Sequence, residues 1–141
     1  MNNLETTIEE IIEKRTVGFI SSVDEDGYPN IKAMLPPVKR EGIKTFYWHT
    51  NSSSIRVKQY KNNPKASIYF CDESSFQGIM LKGRMEVLDD KKTKEEIWQD
   101  GFNMYYNGGA TGGDFIIIKF TAINGRYYGN FHSEDFEVKQ F

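Results

Sequence analysis

Thr50-Asn51-Ser52-Ser53-Ser54-Ile55-Arg56-Val57-Lys58-Gln59-Tyr60-Lys61-Asn62-Asn63-Pro64 is the stretch on which the reading of this chain turns. It follows an apolar run, Thr45-Phe46-Tyr47-Trp48, of the residue types that favour strands, and its own pattern predicts a short helix over residues 54–61. Ser52, Ser53 and Ser54 then stand beside the free N–H groups of a helix N-terminus. Arg56, Lys58, Lys61 and Lys65 follow, and no acidic residue occurs between Glu41 and Asp72. Backbone donors, hydroxyls and cations gathered at one place are what a phosphate requires. An Arg adds a planar fork of charge-assisted hydrogen bonds. The stretch is read as a strand leading into a helix that holds a phosphorylated ligand. The competing reading is a solvated helix with an ordinary Ser cap and scattered lysines.

Outward from this junction the chain alternates short apolar runs with turn signals. Leu4, Ile8, Ile11 and Ile12 recur at helical spacing between Glu5, Glu9, Glu10 and Glu13, which predicts an amphipathic helix covering one side of something else. Strands are expected over residues 17–23 and 30–35, joined by the turn Asp24-Glu25-Asp26-Gly27-Tyr28-Pro29, and over 43–49 after the turn Glu41-Gly42. Asn63-Pro64 stops the helix and begins a strand over 65–71. A longer strand over 76–88 contains Gly83, a bulge or barrel corner. Residues 89–106 read as one helix carrying Ile97, Trp98, Phe102 and Tyr105, weakened by Gly101. A Gly-rich loop over 107–113, strands over 114–122 and 125–131, and a short strand over 136–140 complete the map. Some seven strands in hairpin order with few helices predict a mainly β, α+β fold: a small antiparallel split β-barrel with a few flanking helices.

Composition sets limits on function. With 141 residues, one domain over 1–141 is expected. A net charge of −2 argues against general nucleic-acid binding, so the basic stretch is a local feature. No apolar run approaches a membrane span, no signal-peptide pattern is seen, and the single cysteine, Cys71, cannot form an internal disulfide. A cytoplasmic protein is expected. Cys71 reads as a small core hydrophobe rather than a redox thiol. The tract Gly108-Gly109-Ala110-Thr111-Gly112-Gly113 lacks the Gly-Lys-Ser/Thr ending of a phosphate loop and follows a helix rather than a strand. No His, Cys and carboxylate set has metal-ligand spacing, and no residue stands out as a catalytic acid, base or nucleophile.

Several segments, in order, resemble one known family. Gly18-Phe19-Ile20-Ser21-Ser22-Val23-Asp24 with Asp26-Gly27-Tyr28-Pro29, then Asn30-Ile31-Lys32-Ala33-Met34, lead to Phe46-Tyr47-Trp48-His49-Thr50-Asn51 with Ser54 and Arg56. Asn63-Pro64, Leu81-Lys82-Gly83-Arg84-Met85-Glu86-Val87 and Asp89-Asp90 follow. This order resembles the FMN-binding split β-barrel proteins related to pyridoxamine 5'-phosphate oxidase, and most closely their general-stress-protein branch.

The resemblance implies that Thr50, Ser54 and Arg56 hold the FMN phosphate and ribityl chain, with Ile55 among them and Arg56 in place of the usual Lys. Lys32 stands where the oxidases carry an Arg. Ala33 and Met34 would face the flavin ring, and Gln77 is one position from a Gln that contacts FMN; His49 reads either as a proton donor beside the flavin or as a polar strand-end residue. Of the aromatics Trp48, Trp98, Tyr105, Tyr106, Tyr127 and Tyr128, one or two are expected to touch flavin. A homodimer with flavin at the subunit interface is implied, as is transfer of reducing equivalents to or from a small-molecule donor or acceptor. The Arg-Leu-His pattern that grips pyridoxal phosphate is not matched, since Phe131 precedes His132 and Ser133 follows it, so oxidation of pyridoxamine phosphate is not expected. The same binding residues would serve a non-catalytic flavin-binding stress or sensor protein, or a barrel that takes a nucleotide, heme or deazaflavin.

Overall fold

Hairpin-linked strands, each apolar on the side that meets the core, build one antiparallel sheet in the computed structural model, which describes residues 3–14 and 17–138. The strands are β1 (Gly18–Val23), β2 (Pro29–Met34), β3 (Lys39–Glu41), β4 (Thr45–Asn51), β5 (Lys65–Asp72), β6 (Gln77–Leu88), β7 (Phe115–Gly129) and β8 (His132–Glu137). Their order is β2-β1-β5-β6-β7-β4-β3, with β8 also on β7. β5 shows the period-2 pattern clearly, with Ala66, Ile68 and Phe70 buried and the residues between them less so. Ile20, Phe46, Ile68, Phe70, Ile79, Leu81 and Phe120 fill the inside of the curled sheet. Helix α1 (Asn3–Lys14) covers this core with Ile8, Ile11 and Ile12, and the Arg40 guanidinium of β3 reaches back to Glu13 at 2.9 Å.

β7 explains the split shape. One edge pairs with β6 from Ile117 to Tyr128, while the other pairs with β4 from Phe115 to Thr121 and then with β8 from Asn124 to Gly129. A strand that changes partners midway divides the sheet into two halves that share it. The free ends are drawn together where Trp48 Nε1 of β4 donates to the Leu35 carbonyl, just after β2, at 3.1 Å. Helix α2 (Ile55–Asn62) lies against β1 and β6, and α3 (Lys91–Ile97) lies on β7 outside the main core.

The structure corrects several expectations. One strand was not expected: β3 is a short piece after Pro36-Pro37 that alternation does not reveal. β4 begins at Thr45, not at residue 43, and runs through Asn51. The strands expected over 114–122 and 125–131 are one strand, and the turn falls at Asn130-Phe131, both at positive φ, so that β8 runs from His132 to Glu137. Of the strand expected over 136–140, residues 139 and 140 lie outside the described residues. The helix expected over 89–106 ends at Ile97. Gly101, in the left-handed region at φ 96°, starts a separate 3₁₀ turn, Phe102–Met104.

Gly83 does mark a bulge: the β6–β7 register shifts between Lys82 and Gly83. A Cβ there would drive into the backbone carbonyl of Thr121 on β7. Gly83→Ala is therefore expected to destabilise the protein by about 1–3 kcal/mol, the usual range for overpacking. A urea melt whose midpoint matches the unsubstituted protein would contradict this.

Candidate functional site

The junction between β4 and α2 is built from local signals. Ser54 has extended backbone, and its Oγ accepts the Arg56 N–H at 3.2 Å, capping the helix. Asn63 ends the helix, its N–H donating to the Gln59 carbonyl. This places Arg56 in the first turn of α2, facing back toward Thr50 at the end of β4. Its Nη2 donates to Thr50 Oγ1 at 3.5 Å, and its Nε is buried with no hydrogen-bond partner among the described residues. Burial lowers the Arg56 pKa, and the nearby Tyr60 hydroxyl opposes that shift. A half-buried guanidinium with an idle donor is costly unless an anion meets it.

Beside Arg56 lies a pocket of about 200 Å³, lined by Ser22, Asn30, Lys32, Ile55, Arg56 and Gln59 among others. Gln59 Oε1 is held by the Ser22 hydroxyl, and the Tyr60 hydroxyl donates to the Ser21 carbonyl at 2.7 Å, so α2 is tied to β1 by two side chains. On the other side of Lys32 and Arg56 a wider cleft of about 560 Å³ opens. Its walls are Ala33 and Met34 of β2, Trp48, His49 and Thr50 of β4, and Met104, Tyr105 and Tyr106. Lys32 and Arg56 line both spaces, and among the described residues they are the only Lys or Arg side chains along the cleft. The site thus has a narrow cationic end and a wide aromatic end.

The wall at Met104–Tyr106 is held by two devices. Trp98, Phe102 and Tyr106 pack edge-on and tilted against Phe115 of β7, with ring centroids 4.9–6.0 Å apart. Lys94 of α3, almost fully buried, donates to Asp89 at 2.7 Å and to the Gly112 carbonyl at 3.0 Å, fastening the Gly-rich tract. His49 lies under this wall, its ring 4.4 Å from Phe102 and its Nδ1 2.5 Å from the Tyr106 hydroxyl. Burial lowers the His49 pKa, and burial with the neighbouring Tyr105 pushes Tyr106 up to about 12. Both groups are uncharged near neutral pH.

Six of the residues read from the sequence (Lys32, Ala33, Met34, His49, Thr50 and Arg56) meet along the cleft. Ser54 caps α2 beside it, and Ile55, 67% exposed, borders the narrow end. Gln77 lies elsewhere, at the start of β6, accepting from the Tyr127 hydroxyl at 2.8 Å. Sequence reading does not single out Leu35, Pro36, Met104 or Gln59. Gln59 had a usable signal, being one helical turn after Arg56 on the same face. Among the described residues no group of three or more His, Cys, Asp or Glu side chains could hold a metal ion. No helix there is long and apolar enough to cross a membrane.

His49 gives a pH dependence whose sign is fixed. The unfolded chain takes up a proton as pH falls through 6.5, the ordinary value, whereas the folded chain holds His49 neutral to lower pH. The unfolded state binds more protons in that window, so stability is full above it and declines below it. From about pH 7.5 to about pH 5.5, the melting temperature should fall more steeply than in His49→Phe, which lacks this titration. Parallel slopes for the two proteins would contradict the assignment.

Three comparisons place this geometry among known proteins. The sequence pattern of the Pyridoxamine 5'-phosphate oxidase family matches residues 4–129. A pyridoxine/pyridoxamine 5'-phosphate oxidase of Pelagibacter ubique is 26% identical over 84 residues, 59% of this chain and 39% of that protein. The matched region therefore spans about two fifths of that curated relative. The crystal structure of a protein related to general stress protein 26, from Clostridium acetobutylicum, superposes with a TM-score of 0.87 at 36% identity, covering 97% of this chain and 96% of that one. A heme binding protein from Mycobacterium smegmatis shares the fold, with a TM-score of 0.76 at 12% identity over 99% of this chain and 60% of that one. The extent of the family match and the 36% identity to the clostridial protein lead to one conclusion: this chain belongs to the pyridoxamine 5'-phosphate oxidase family.

Proposed function

We propose that this protein binds FMN in the cleft between β2, β4 and the Met104–Tyr106 wall, and that it is an oxidoreductase acting on a small molecule. The observation that carries the reading is Arg56: a half-buried guanidinium whose Nε has no hydrogen-bond partner, at a capped helix N-terminus beside Lys32. That donor set suits a phosphate monoester, because an Arg fork and a second cation meet there beside the Ser54-capped end of α2. The aromatic end suits a flat ring between Met34, Trp48 and Tyr105. When bound, the flavin would supply the redox chemistry, and the chain would anchor, orient and shield it.

A homodimer belongs to the same reading. Leu35, Met104 and Tyr105 line the cleft and Ile31 lines the small pocket beside it; they expose 60–76% of their surface, or 81% for Met104, which a second copy would cover. Gln77, remote from the cleft of its own chain, would then be supplied by the other subunit. The clostridial relative is related to a general stress protein, so a flavin-binding role in a stress response fits equally well with the binding residues. Turnover of bound FMN by a nicotinamide donor with an added acceptor separates an enzyme from a passive binder.

Arg56→Ala should weaken FMN binding by about 10- to 100-fold, the loss of one or two charge-assisted hydrogen bonds, while riboflavin, which lacks the phosphate, changes little. Flavin fluorescence titration reads both affinities. Equal FMN affinity in the two proteins would sink the phosphate assignment.

A further inference from the structure

The Tyr106 hydroxyl is part of a residue only 5% exposed, and its one hydrogen-bond partner among the described residues is His49 Nδ1. Two arrangements are possible for the pair. If Nδ1–H donated to the phenol oxygen, the O–H of Tyr106 would have no acceptor among the described residues, which is unfavourable for a buried donor. If the phenol donates to Nδ1, every buried group of the pair is satisfied. The neutral imidazole then carries its proton on Nε2, the remaining polar atom of a ring that lines the cleft. Nε2 has no hydrogen bond among the described residues. Among the described residues the aromatic end of the cleft has no cation of its own, since Lys32 and Arg56 stand at the narrow end.

We propose that His49 is a specificity-determining residue of the cleft: its Nε2–H donates to a carbonyl or ring-nitrogen acceptor on a planar, uncharged heteroaromatic ring. Tyr106 is the positioning residue that fixes the tautomer. The inference rests on the flavin reading of the same cleft, and it adds which edge of the ring is recognised and by which atom. It also has a negative consequence. A proton on Nε2 leaves no lone pair there for a metal, so His49 is not an axial ligand for heme iron, a group that the shared fold would otherwise invite.

The test uses riboflavin, whose binding does not depend on the phosphate end, with FMN alongside. His49→Phe is expected to lose about three- to tenfold in riboflavin affinity, the loss of one hydrogen bond. His49→Gln, whose amide N–H₂ can take the place of Nε2–H, should regain most of it. Tyr106→Phe should lose part of the affinity, and the double variant with His49→Phe should be no worse than His49→Phe alone. His49→Leu repeats the test should the phenyl ring not fit. Unchanged affinity in His49→Phe and His49→Leu, or a His49→Gln protein no better than His49→Phe, overturns the proposal. So does a hemin Soret shift that depends on His49. If the unsubstituted protein binds FMN and Arg56→Ala loses it while the His49 variants match it, only this inference fails. If it binds neither FMN nor riboflavin, the flavin reading fails as well.

Discussion

A cation held half out of water, with one donor left unused, is the constraint around which this molecule is arranged. Arg56 is half-buried in the first turn of a helix that is tied to β1 through Gln59 and Tyr60. Among the described residues it has no carboxylate partner, and the stretch from Gly42 to Cys71 contains no acidic residue. Its guanidinium donates to Thr50 alone among the described residues, and that contact is long, at 3.5 Å. A protein that keeps such a group without a partner of its own retains an energetic cost that an incoming anion relieves. The fold, in this view, is a frame for holding that cation beside a space wide enough for an aromatic ring.

The frame depends on two long-range features. β7 binds the two halves of the sheet by pairing with β4 and then with β8, which lets β4 reach the open side and deliver Thr50 to Arg56. The second feature is the wall of the aromatic end, which is irregular chain held by side chains instead of a continuous helix. Lys94 holds the Gly112 carbonyl, Phe115 receives three aromatic rings, and Tyr106 closes on His49. Burial keeps His49 and Tyr106 neutral, so the aromatic end stays uncharged while the cationic end does not. That separation of charge along one cleft matches a ligand with a phosphate tail and a neutral ring.

The parts of this arrangement that were legible in the sequence are those fixed by neighbours in the chain. Ser54 as a cap, Asn63-Pro64 as a stop and Gly83 as a bulge are local signals, and each appears where its residue type predicts. The continuity of β7 was not legible, because Asn124-Gly125 carries turn chemistry and only the switch from β4 to β8 explains why the strand continues. The helix expected through Tyr106 ends already at Ile97, and Trp98 and Phe102, though at helical spacing, pack edge-on across the left-handed Gly101. The meeting of Lys32 with Arg56 requires β2 and α2 to converge, which the order of segments implied only through the family resemblance. Gln77 shows the limit most clearly: its place depends on a long-range pairing with Tyr127 that no spacing reveals.

The most direct measurement is the visible absorption spectrum of the purified protein, taken before and after incubation with FMN and desalting. The account predicts flavin bands that survive desalting, perturbed from those of free FMN by the aromatic end of the cleft. A protein that stays colourless after the same treatment would contradict it, leaving Arg56 and Lys32 to a different anion.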